Sequence, residues 1–206
     1  AFDSAGNEGL LSDWGWFRVF VGTSPQPGAF STKTNPTFTW AAVPGATSYT
    51  LELAQDSDFN TPAAGFPVGL GTQRRYSLPT NLPAGTYYWR VISNLDTADN
   101  VPYAVLFIGA APKAPVLTSP SNRAQVTTAQ VEWATVTPPA GVVVAQFEVQ
   151  VATNSSFTRD LQILTTAGTS MLLNLEPGRT YFWRVRAVYA PDVAHKWSST
   201  RSFRLN

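Results

Sequence analysis

The sequence predicts an all-β protein: two tandem β-sandwiches preceded by one separate N-terminal strand. Three observations support this prediction. Short runs rich in β-branched and aromatic residues alternate with Pro-Gly turns, and no long run has helical periodicity. The set of strands occurs twice along the chain. Residues 1–24 have the form of one further strand.

The predicted strands follow from alternating apolar and polar residues, with turn signals such as Pro44-Gly45 and Pro177-Gly178 between them. In the first half they are residues 37–40, 49–53, 87–91 and 104–108. In the second half they are residues 131–133, 146–151, 180–188 and 201–205.

The repeat shows most clearly in two blocks. Residues 49–59 return as residues 147–157 with every apolar position kept, and residues 86–91 return as residues 180–185. Units of roughly 90 to 100 residues are large enough to bury a core each. We therefore predict domains at residues 25–110 and 111–206.

Each predicted core contains one tryptophan from an early strand and one from a late strand. These are Trp40 and Trp89 in the first unit, and Trp133 and Trp183 in the second. The units differ mainly after the early tryptophan, where the second has a longer loop with an apolar tip at residues 138–144.

Composition excludes several classes of function. Only 13% of the 206 residues are charged, and the net charge of +1 includes no basic cluster, which argues against nucleic-acid binding. The absence of cysteine excludes disulfides and thiolate metal sites. No run approaches the roughly 18 apolar residues of a membrane span, so we expect no membrane insertion. Low charge with abundant Ser, Thr and Pro predicts an extracellular or cell-surface protein.

No arrangement typical of catalysis stands out. His195, the only histidine, lies in a predicted loop before the last strand, where a solvated side chain is expected. Neighbouring carboxylates occur in polar turns, as Asp56 with Asp58 and Asp96 with Asp99. We predict that the protein is not an enzyme and has no catalytic residues, cofactor or metal.

The N-terminal segment, residues 1–24, is similar to the last strand of such a unit. Residues 17–19 echo residues 203–205, and residues 20–22 echo residues 107–109. Both faces of the segment are apolar, which is the pattern of a strand covered on both sides. Its predicted partner-binding residues are Trp14, Trp16, Phe17, Val19, Phe20 and Val21.

Three interpretations of this segment stay open. It folds back onto the first unit, it inserts into a neighbouring subunit, or it marks a cut within a longer array. Insertion would be β-strand addition, and a head-to-tail contact of this kind generates a filament.

The second unit carries the motif Leu175-Glu-Pro-Gly-Arg-Thr-Tyr181-Phe-Trp183-Arg-Val185, and the first a similar one around Tyr87 and Trp89. This pattern resembles fibronectin type III domains, particularly those of bacterial or archaeal extracellular proteins. The resemblance covers about residues 25–206. It implies that the early-strand tryptophans are core residues. It also implies that each of these tyrosines forms a tyrosine corner, bonding its hydroxyl to the backbone upstream.

The predicted function is a non-enzymatic extracellular structural protein. It would be a building block of a cell-surface fibre, sheath or appendage, assembled head to tail through the N-terminal strand. Its partners would be copies of itself or neighbouring domains of a longer chain. The alternative is a spacer or carbohydrate-binding accessory module of a larger secreted enzyme or adhesin, with polysaccharide as the partner. That alternative requires an exposed aromatic platform. The only spare tryptophans for it are Trp14 and Trp16 on the N-terminal strand. Tyr88, Tyr103 and Tyr189 are also free to be exposed, but scattered surface aromatics are normal.

Overall fold

The computed structural model describes residues 20–97, 101–191 and 193–206, and these residues form strands and no helix. The strands before residue 110 are β1 (Gly22–Ser24), β2 (Ala29–Ser31), β3 (Thr37–Trp40), β4 (Tyr49–Ala54), β5 (Val68–Gly69), β6 (Arg75–Ser77), β7 (Gly85–Ser93) and β8 (Ala104–Ile108). The later strands are β9 (Leu117–Ser119), β10 (Ala124–Val126), β11 (Gln130–Trp133), β12 (Val144–Ala152), β13 (Gln162–Thr166), β14 (Ser170–Leu172), β15 (Thr180–Tyr189), β16 (Val193–Trp197) and β17 (Arg201–Leu205).

The strands form two sandwiches of the same design. In the first, the sheet β1-β3-β6 faces the sheet β2-β8-β7-β4-β5; in the second, β14-β11-β9 faces β10-β17-β15-β12-β13. Strand for strand, the two sets of sheets have the same order. No strand pairing joins the two sandwiches within the described ranges. The predicted all-β fold of fibronectin type III-like sandwiches is confirmed.

The first strand of each sandwich is divided between the two sheets. β1 pairs antiparallel with β3, while β2 pairs parallel with β8. β9 and β10 repeat this division. The crossing occurs at Ser24-Pro25 and at Ser119-Pro120, where proline lacks the N–H needed to continue the ladder.

Each sandwich is filled by the residues that the repeat marks as core. Trp89 and Trp183 are fully buried, and Trp40 and Trp133 are 3% exposed. Phe38 packs against Trp89 with ring centroids 5.0 Å apart, and Phe147 packs against Trp133 at 5.6 Å. These aromatics are therefore core residues, and burial of their rings supplies much of the hydrophobic stabilisation.

Both tyrosine corners implied by the family resemblance are present. The Tyr87 hydroxyl donates to the carbonyl oxygen of Pro83 at 3.1 Å, and the Tyr181 hydroxyl donates to that of Glu176 at 2.9 Å. Each bond fixes the loop that leads into the long strand β7 or β15, because it satisfies a carbonyl that has left the ladder.

Replacing Tyr181 with phenylalanine is expected to lower the free energy of unfolding by about 1 kcal/mol, since the hydrogen bond is lost while the buried ring is kept. Urea titration of the variant would measure the change. Tyr103→Phe, which alters an exposed phenol, serves as the control. An unchanged midpoint for Tyr181→Phe would show that the corner contributes nothing to stability.

The segment around His195 differs from its prediction. It was expected to be a loop, but residues 193–197 form β16, which pairs with the second half of β15. The reason lies in strand length: β15 extends for ten residues, whereas β17 covers only its first half. The backbone N–H and C=O groups in the second half of β15 therefore need hydrogen-bonding partners, and β16 supplies these partners.

No helix in the described part of the chain is both long and apolar enough to cross a bilayer.

Candidate functional site

The end of the N-terminal segment that the structure describes lies on the first sandwich of its own chain. The Phe20 ring meets Trp89 edge to face, with centroids 4.9 Å apart. The backbone oxygen of Val21 accepts a bond from the Ala41 N–H at 2.9 Å. Residues 20 and 21 thus lead directly into the edge strand β1 (Gly22–Ser24). This strand of the first sandwich lies before the predicted domain boundary at residue 24.

The other residues predicted to bind a partner lie outside the described ranges. They are Trp14, Trp16, Phe17 and Val19. The role of these residues in assembly stays a prediction, and so do the domain boundaries.

Strand β8 is buried on both faces, a feature that is not among the predictions above. Ala104, Leu106 and Ile108 point into the core of the first sandwich. Val105 and Phe107 point outward and belong to the core cluster of the second sandwich. Every residue of β8 is therefore buried. The signal was present, because an uninterrupted apolar run is typical of a strand covered on both sides.

We call the contact made by this outward face the joint. From the first sandwich it includes Phe30, Val105 and Phe107; from the second it includes Pro139, Val142, Tyr189, Val193 and His195. Phe30 stacks on Phe107 with centroids 4.5 Å apart and meets Tyr189 and His195 edge to face at 5.3 and 5.0 Å.

The long loop of the second unit brings the backbones of the two sandwiches close together at the joint. Its residue Gly141 lies so close to Gly85 that a Cβ atom there would be 3.1 Å from the Gly85 Cα atom. A Cβ atom at Gly109, whose φ is +144°, would clash with the ring of Pro139. The Thr86 hydroxyl donates to the Gly141 carbonyl at 3.3 Å. The extra length of this loop thus serves contact between the units.

The joint face is not repeated on the second sandwich. The positions that correspond to Phe30, Val105 and Phe107 are occupied by Gln125, Ser202 and Arg204, by strand register. Gln125 and Arg204 are exposed. The two units share a core pattern, but the outer face that is apolar in the first sandwich is polar in the second.

Two titratable groups lie in the joint. Burial raises the pKa of Tyr189 to about 12, and its hydroxyl is buried with no hydrogen-bond partner among the described residues. Burial also lowers the pKa of His195, and the neighbouring Lys196 lowers it further. The imidazole is therefore favoured in its neutral form, between the rings of Phe30 and Tyr189.

The position of His195 predicts a pH dependence of stability. Because its pKa is lower in the folded state than the usual value near 6.5, the unfolded chain binds the proton more tightly. The contribution of neutral His195 is then present above about pH 6.5 and is lost as the pH falls toward the folded-state pKa. Melting temperatures of the wild type and His195→Phe would be compared between about pH 5 and pH 7. The variant is expected to lose less stability on acidification; parallel profiles would contradict the assignment.

Stacked arginine and aromatic side chains cover the outer face of each larger sheet. Arg90 lies 4.1 Å over the ring of Phe59, and Arg184 lies 4.1 Å over Phe157. In the second sandwich Trp197 extends the stack, because Arg184 and Arg186 lie over its ring at 4.3 and 4.4 Å. Cation–π contacts of this kind hold the Phe-containing turn against the sheet.

Salt bridges anchor the same arginines. Arg90 Nε is 2.6 Å from Glu52 Oε2, and Arg186 Nη2 is 2.6 Å from Glu148 Oε2. Arg184 instead donates two bonds to the side-chain oxygen of Gln150. These pairings connect neighbouring strands on the outer face of each larger sheet.

Two of the carboxylates considered for catalysis, Asp56 and Asp96, serve turns, and Asp99 lies outside the described residues. Asp56 accepts bonds from the backbone N–H groups of Asp58, Asn60 and Thr61. The bond from Asn60 contributes most to lowering the pKa of Asp56. Asp96 accepts bonds from the backbone and hydroxyl of Ser93. Within the described ranges no three His, Cys, Asp or Glu side chains come together to hold a metal.

Comparisons with known proteins return structures only. No protein-family model and no curated protein matches the chain. A crystal structure of the FN1–FN3 domains of chicken CNTN1 matches with 18% identity and a TM-score of 0.37, covering 90% of this chain and 66% of that one. The fibronectin(III)-like modules of CbhA from Clostridium thermocellum match with 12% identity and a TM-score of 0.39, covering 91% and 94%. Strand order and the two tyrosine corners show a fibronectin type III-like fold in both sandwiches.

Proposed function

We propose that the chain is a non-enzymatic spacer of a larger extracellular protein, in which the joint holds two sandwiches in one fixed orientation. The observation that carries this proposal is the burial of β8 on both faces. Tandem modules usually meet through small polar surfaces and move relative to each other. Here the outward face of β8 belongs to the core cluster of the next unit, so reorientation would expose Val105 and Phe107 to water.

The proposal is tested by measuring the distance between the sandwiches in solution. The chain has no cysteine, so spin labels can be attached at Gln73→Cys and Thr165→Cys, which are exposed positions in the first and second sandwich. A single narrow distance distribution is expected. It should broaden when Phe107→Ala is added. A broad distribution in the labelled protein without that substitution would overturn the fixed joint.

Self-assembly through the N-terminal segment is a second proposal. It is supported by the free outer edge of β13, which pairs only with β12 among the described strands. Ile163 on this strand is 57% exposed. An unpaired edge accepts an added strand through its backbone groups. The donor would be residues 14–19 of a second copy.

The assembly proposal requires a truncation that spares β1. Deleting residues 1–19 removes the donor but leaves Phe20 and the strand that pairs with β3. Electron microscopy and sedimentation of the whole chain are expected to show fibres that the truncated chain does not form. The same size distribution for both proteins would overturn assembly by this segment and leave the fixed joint unaffected.

A further inference from the structure

Three aromatic rings form a cluster on the outer face of the larger sheet of the first sandwich. Tyr103 meets Tyr88 with centroids 5.5 Å apart and Phe59 with centroids 6.1 Å apart. Tyr103, immediately before β8, is 41% exposed. Tyr88 also packs against the core cluster of the second sandwich. The rings therefore lie beside the joint, and such boundaries between modules are favoured places for ligand sites.

Phe59 connects the cluster to a small depression in the surface. The depression is lined by Phe59, Pro62, Phe66 and Pro67, with Glu52 as its charged group. Its walls are therefore mainly apolar. Arg90 lies over Phe59 and is engaged with Glu52 at 2.6 Å. Phe59 thus contacts Tyr103 on one side and also lines the depression.

Two carboxylates, those of Glu52 and Asp56, belong to residues that neighbour Phe59. Asp56 belongs to the turn that carries Phe59, whose backbone N–H donates to the Asp56 carbonyl oxygen at 3.4 Å. Burial raises the pKa of Tyr88, and its neighbours Tyr103 and Asp56 raise it further. Three backbone N–H groups fix Asp56 in its turn. The cluster thus combines rigid apolar surfaces with carboxylates that hold their positions.

We propose that this cluster, Phe59 with Tyr88 and Tyr103, is a binding site for a neutral saccharide. The C–H face of a sugar ring would pack on Tyr103, and the hydroxyl groups of the sugar would donate to Asp56 and Glu52. Sugar hydroxyls are donors, which carboxylates can accept. Anionic saccharides are disfavoured because the carboxylates outnumber Arg90. A proline-rich peptide presents mainly carbonyl acceptors, which these carboxylates cannot satisfy.

The second sandwich provides an internal comparison. Its corresponding ring, Phe157, is only 6% exposed, and Trp197 stacks on the arginine that covers it. The residue immediately before β17 is Thr200, where the first sandwich has Tyr103 before β8. The open ring cluster is therefore confined to the first sandwich, and substitutions there can be compared with neutral ones elsewhere.

Calorimetric titration of the whole chain tests the proposal with soluble hexasaccharides of glucose, xylose, mannose and N-acetylglucosamine. Saturable binding to at least one is expected. Tyr103→Ala should weaken it by roughly tenfold, while Tyr103→Phe should retain most of it because the ring surface remains. Leu172→Ala, an exposed apolar position in the second sandwich, should bind like the wild type.

Nuclear magnetic resonance locates the bound sugar independently of affinity. Chemical shifts should change around Phe59, Tyr88 and Tyr103 and not in the second sandwich. No saturable binding to any of the four saccharides would overturn the proposal. Binding that is unaffected by Tyr103→Ala, or shift changes elsewhere, would overturn this location. None of these results bears on the fixed joint, which the spin-label distances test separately.

Discussion

Replacing Phe107 with alanine is expected to lower the free energy of unfolding by about 3 kcal/mol and to uncouple the two sandwiches. The ring is fully buried and stacks on Phe30 across the outer face of β8. Deleting a buried phenylalanine ring typically costs about 3 to 5 kcal/mol, because transfer and cavity terms add. Since the lost contacts lie between the units, one cooperative thermal transition should divide into two.

The control for Phe107→Ala is Arg204→Ala, which changes the corresponding position of the second sandwich. Arg204 is exposed, so stability should change by no more than about 0.5 kcal/mol. Differential scanning calorimetry would compare both variants with the wild type. A single unshifted transition in Phe107→Ala would show that the sandwiches do not stabilise each other.

Replacing Trp89 with alanine is expected to destabilise the first sandwich by about 3 to 5 kcal/mol. Trp89 is fully buried, and its ring contacts both Phe38 and Phe20. Loss of the ring therefore opens the core and also releases the end of the N-terminal segment. That loss is a large part of the roughly 5 to 15 kcal/mol that stabilises an ordinary domain.

The matched variant for Trp89→Ala is Trp183→Ala, at the corresponding position of the second core. Combined with Phe107→Ala to separate the transitions, each substitution should lower only the transition of its own sandwich. Hydrogen exchange would identify which amides lose protection. If both substitutions lowered the same transition, the two cores would not be independent.

The core could be predicted from the sequence because the repeat preserves it. Tyr87 and Tyr181 occur in matching motifs, and both form the expected corner. The four tryptophans of the two cores are buried as predicted. Such features depend on local spacing and on alternation within one strand, which a single sequence displays directly.

The joint could not be predicted in the same way because it depends on what lies opposite an outer face. The continuous apolar run of β8 indicated a strand covered on both sides, but periodicity does not identify the covering surface. Phe30 is separated from Phe107 by most of the first unit, and only their parallel pairing brings them together. His195 was expected in a solvated loop because the need of β15 for a further partner strand is not visible locally.

The candidate saccharide site was only partly visible in the sequence. The sequence indicates that Tyr88, Tyr103 and Tyr189 are free to be exposed, but Tyr189 is fully buried in the joint. Phe59 falls among the repeated core positions in the sequence. Phe59 is half-buried, whereas Phe157 is buried and Trp197 stacks on the arginine that covers it. Such a difference arises from neighbours on another strand, which the alignment of two repeats does not show.

The contrast between Phe107 and Arg204 has a consequence for the exchange of modules by recombination. Reversing the order of the two sandwiches would place Gln125, Ser202 and Arg204 at the new boundary and would separate Phe30, Val105 and Phe107 from the surface that now covers them. A gene rearrangement that preserved both cores would therefore still lose the joint. The order of the units is thus constrained by folding, in addition to whatever constraint function imposes.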